Sequence, residues 1–81
     1  MMVVYFEDFM SYDGNSAREE LIGEINRVWS SSEAEEKEIM LNVFSVVILP
    51  NENKVTIIND IEPNEEPLVI TLTEFYNRLK G

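Results

Sequence analysis

The chain has 81 residues, six basic and sixteen acidic, for a formal net charge of −10, and 44% of its residues are hydrophobic. That length predicts one domain, residues 1–81, and the patterned apolar content argues against disorder. The charge argues against nucleic acid and anionic membranes as direct partners, since both are bound by cations that neutralise phosphate. Cysteine and histidine are absent. Thiol nucleophiles, disulfides, triads and zinc sites of the usual kind are thereby removed.

The N-terminus, Met1-Met2-Val3-Val4-Tyr5-Phe6-Glu7-Asp8, lacks a basic segment and is too short in apolar residues to read as a signal peptide. The longest apolar stretch, Ile39 to Leu49, falls far short of the roughly 20 residues that span a bilayer. The expected location is the cytoplasm.

In chain order, Val3–Phe6 are β-branched or aromatic and predict a short strand. Ser11–Asn15 carry turn chemistry centred on Asp13-Gly14. Ser16 and Glu19 match a capping box. The helix that follows places Ala17, Leu21, Ile22, Ile25, Val28 and Trp29 within an arc of roughly 140°. Glu19, Gly23, Asn26 and Ser30 lie opposite. Trp29 is expected to pack this helix onto the sheet. Gly23 costs about 1 kcal/mol relative to Ala and marks a close approach by another backbone, or nothing. Ser30-Ser31-Ser32 ends or interrupts the helix. Glu33–Glu38 reads as either a helical turn capped by Ser32 or a charged loop.

Ile39–Leu49 predicts one long central strand with both faces largely apolar. Pro50–Asn53 is a turn and Lys54–Asn59 the returning strand. Asp60–Pro67 is an acidic loop, Leu68–Leu72 a strand, and the C-terminal segment a short helix capped by Thr71 or Thr73. Arg78 and Lys80 suit its last turn. The expected fold class is therefore α+β. It is a small two-layer domain with an antiparallel sheet of three to four strands, one long and one short helix, in the order β-α-β-β-β-α.

Carboxylates are the remaining chemistry. Asp60, Glu62 and Asn64 occupy the first, third and fifth places of a segment similar to the start of an EF-hand loop. Glu65 then stands where glycine is needed and Thr71 where the bidentate glutamate belongs, so the segment reads as a solvated acidic loop. A carboxylate-only hydrolase needs a cleft that so short a chain rarely offers. No catalytic residue, cofactor or metal is assigned, and the chain is expected not to be an enzyme.

The acids cluster in segments with few cations: Glu7, Asp8 and Asp13 first, then Glu33, Glu35, Glu36 and Glu38 around Lys37, then Asp60, Glu62, Glu65 and Glu66. Aromatic residues adjoin them. Phe6, Phe44, Phe75 and Trp29 are expected in the core, and Tyr12 is the aromatic least expected to be buried. Aromatic anchors beside steering charges suit a protein interface. The candidate partner-binding residues are Tyr12, Asp13, Glu33, Glu35, Glu36, Glu38, Asp60, Glu62, Glu65, Glu66 and Tyr76, and the expected partner is a basic protein.

In size, acidity and general character the chain resembles bacterial immunity proteins that neutralise nuclease toxins. It is also similar to phage-encoded inhibitors, some of which imitate the charge of DNA. The likeness is one of composition and size, and no family residue is carried over. It implies an inhibitor (immunity protein or antitoxin) covering the basic site of a toxin or nuclease. The alternatives are a phage anti-defence protein, and an adaptor or oligomer subunit whose acidity serves solubility.

Overall fold

In the computed structural model, residues 3–31, 35–62 and 64–81 are described. Helix formation starts earlier than the apolar pattern suggests. Helix α1 spans Phe6–Phe9, runs into a π-helical segment over Met10–Gly14, and continues without a break into α2, Asn15–Ser30. The π turn closes with the amide of Asn15 donating to the carbonyl of Met10.

Two expectations give way here. Val3–Phe6 is not a strand: Val3 makes a single parallel bridge with Glu66, and Phe6 already starts the helix. Helical spacing brings the rings of Phe6 and Phe9 to 5.8 Å and 6.1–5.9 Å respectively from one another and from Phe75, and that burial outweighs local β preference. Glu7 and Asp8 also fall in the first turn, where carboxylates suit the helix dipole. Nor is Ser11–Asn15 a turn. Gly14 is helical (φ −62°), so glycine is not there for left-handed backbone. It is there for space, because a Cβ would collide with Met10 Sδ and lie 2.9 Å from the Phe9 ring. Ser16 consequently sits inside a helix that arrives from upstream, and no side-chain cap forms there. Gly23 faces open space.

Beyond α2, β1 (Lys37–Met40) and β2 (Phe44–Leu49) occupy the stretch read as a charged segment followed by one long strand. The chain folds back at Leu41–Val43, where the amide of Leu41 donates to the carbonyl of Phe44 at 2.9 Å. Asn42 is the polar break in the apolar run that marks this turn. A 3₁₀ turn (Pro50–Glu52) and Asn53 in the left-handed region (φ 52°) lead into β3 (Lys54–Asn59). Then come β4 (Leu68–Thr71) and α3 (Leu72–Lys80), with Thr71 Oγ1 accepting from the amide of Glu74 at 3.0 Å.

The fold is α+β in two layers: a four-stranded antiparallel sheet in the order β1-β2-β3-β4, one long helical run and one short helix. The element order is α-β-β-β-β-α, because the fourth strand comes from division of the central one and not from the N-terminus.

Strand register assigns the faces. Phe44, Val46, Ile48, Val55 and Ile57 share one face and are buried against Phe9, Leu21, Ile25, Leu72, Phe75 and Leu79 of the helices. The paired set Glu38–Val47–Thr56–Val69, with Met40 and Ile58 beside it, lies on the other face. No described element covers that face, and Met40 is 75% and Val69 54% exposed. Trp29 is also a correction. It stands at the end of α2, 47% exposed, and meets Tyr76 of α3 edge-on at 4.8 Å, so it joins helix to helix instead of helix to sheet.

Candidate protein-binding cleft

The π-helical segment divides two adjacent side chains. Asp13 points inward and is 2% exposed; its Oδ2 accepts from the amides of Val43 and Phe44, both at 2.8 Å. These two amides lie at the β1–β2 turn, and Asp13 ties that turn to the helix. As a surface contact Asp13 is therefore a correction: a buried carboxylate holding two amides is not available to a partner. Tyr12, next to it, points out and is 64% exposed, as expected of this aromatic.

On the facing side, Asn59 shapes the loop after β3. Its Oδ1 accepts from the amides of Ile61 (3.0 Å) and Glu62 (3.1 Å), an Asx-type turn. Its Nδ2 donates to Glu65 Oε1 at 2.8 Å. Asp60 is held from the other side, its Oδ2 accepting from the buried Ser45 hydroxyl at 2.6 Å and its amide donating to the carbonyl of Val43. With its polar groups used this way, the loop turns Ile61 outward, 64% exposed.

Between helix and loop lies a cleft of about 330 Å³, with Asp8 and Tyr12 on one wall and Ile61, Glu62 and Glu65 on the other. Val43, Phe44 and Asn59 form its floor. No lysine or arginine lines it. The four ion pairs among the described residues all lie elsewhere: Arg27–Glu24, Lys37–Glu24, Lys54–Glu52 and Arg78–Glu74. The cleft thus mixes apolar side chains, Tyr12, Val43, Phe44 and Ile61, with three carboxylates, and no cation in the lining balances them. Among the described residues, no group of three or more carboxylates converges closely enough to hold a metal ion.

Of the residues singled out from sequence, Tyr12, Glu62 and Glu65 meet in this cleft, with Asp60 anchoring the loop beside it. Glu66 is exposed, but its backbone carbonyl accepts from the amide of Val4 at 2.9 Å. Glu35 and Glu36 lie at the opposite end of the sheet. They precede Lys37, which pairs with Ile48, whereas Asp60 follows Asn59, which pairs with Phe44. At about 3.3 Å per residue the two segments are roughly 20 Å apart along the strands. Glu35 and Glu36 also share a recess with Arg27 and Lys37, so their charge is locally opposed. Glu38 projects from the uncovered sheet face. Tyr76 is half-buried between Trp29 and Lys80, whose Nζ stands 5.2 Å from its ring centre. Glu33 lies outside the described residues. The acidic segments therefore do not form one face.

Sequence reasoning missed Asp8, Ile61 and Asn59. Asp8 and Tyr12 stand four residues apart, a spacing that would have paired them had this stretch been read as helix. Asn59, two and three residues before the amides it accepts from, carries an Asx-turn signature.

Lys37 reaches Glu24 at 2.6 Å, fastening β1 to α2, and Arg27 of the same helix reaches Glu24 at 2.8 Å. The Lys37 ammonium, with Arg27 beside it, holds the Glu24 carboxyl below its ordinary range despite partial burial. No helix among the described residues is long and apolar enough to cross a membrane. Comparison with protein-family models, curated proteins and solved structures finds no match to this chain.

Proposed function

We propose that this chain is a non-catalytic cytoplasmic inhibitor, an immunity protein or antitoxin, that covers the basic site of a toxin or nuclease. The observation that supports this reading is the cleft in which exposed Tyr12 and Ile61 are edged by Asp8, Glu62 and Glu65 without a lining cation. An aromatic and an aliphatic side chain supply area for desolvation, and the surrounding carboxylates steer a cationic surface onto them. A nuclease cleft suits such a surface, because it is built to hold a polyanion bearing about one charge per 1.7 Å of duplex.

The test is a tagged pulldown from the native host with identification of what is retained, followed by association kinetics with the purified partner. A basic partner is expected. Joint Glu62→Lys and Glu65→Lys substitution should slow association by about tenfold at low salt, and Tyr12→Ala should speed dissociation. Joint Glu35→Lys and Glu36→Lys substitution, at the far end of the sheet, should do much less. An acidic or apolar contact face on the partner, or equal effects from the two reversals, would remove the cleft from the account.

A further inference from the structure

We draw no further inference here: the strongest candidate, the uncovered outer face of the sheet with Met40, Val47, Ile58 and Val69, carries nothing because nothing in the structure shows what covers it.

Discussion

Asp13 joins two parts of the chain that are thirty residues apart. Its Oδ2 satisfies two amides at the β1–β2 turn, where Phe44 is buried and has no strand partner for its N–H on that side. Truncation to alanine takes the acceptor from both donors, the buried amide of Phe44 and the part-buried amide of Val43. Asp13→Ala is expected to lower unfolding free energy by about 2–4 kcal/mol, since each orphaned buried donor costs about 1–3 kcal/mol. Asp13→Asn keeps an acceptor oxygen and should lose about half as much. Urea denaturation of the two variants decides this; equal losses would mean that the charge, and not the acceptor geometry, holds the turn. Trp29 is the opposite case. Half exposed, it contributes mainly its ring contact with Tyr76, and such a pair adds about 0.5–1.5 kcal/mol. Trp29→Ala should therefore cost about 1–2 kcal/mol, well below the 3–5 kcal/mol of a core aromatic. Its fluorescence maximum should lie between those of buried and fully hydrated tryptophan. A fully buried emission spectrum would contradict the position described.

Elements were legible where one local device decides them. Pro50–Asn53 carries its own turn chemistry, and Thr71 stands three residues before Glu74, so both boundaries follow from side chains within a few positions. The N-terminal helix and the β1–β2 turn were not legible, because their causes lie far away in sequence. Phe6 and Phe9 become helical by meeting Phe75, and Asp13-Gly14 gives up its turn because Val43 and Phe44 claim the carboxylate. The cleft follows suit. Its loop wall is visible as an acidic segment, but its helical wall is hidden from a reading that makes Val3–Phe6 a strand and Ser11–Asn15 a turn.

One contact between elements carries a pH dependence. Glu24 is bonded first to Lys37 and then to Arg27, and its pKa is lowered from an ordinary 4.5. A carboxyl whose folded pKa is depressed contributes stability above its unfolded pKa, and loses it as pH falls through the folded value. Its partners' side chains are 40% and 68% exposed, so solvent limits the contribution to about 0.5–1 kcal/mol. Glu24→Gln should lower the denaturation midpoint at pH 7, and the gap from the parent protein should narrow as pH falls below the ordinary carboxylate pKa and close below the depressed folded value. A gap that persists once the carboxyl is protonated in the folded state would assign the effect to packing.

At the scale of the whole molecule, the −10 net charge and the uncovered sheet face act against each other in solution. Face to face, two copies would bring Met40, Val47, Ile58 and Val69 together, while their overall charge keeps them apart over roughly a Debye length of about 10 Å at 0.1 M salt. Titration towards the isoelectric point near 4.2 removes that repulsion without removing the apolar patch. Light scattering should then rise as pH approaches 4.2, and Met40→Lys with Val69→Thr should suppress the rise. Unchanged scattering by that double variant would place the adhesive surface elsewhere. The bare face thus makes acidity a condition of colloidal dispersal: each carboxylate neutralised, by protons or by a cationic partner, leaves less to hold neighbouring copies apart.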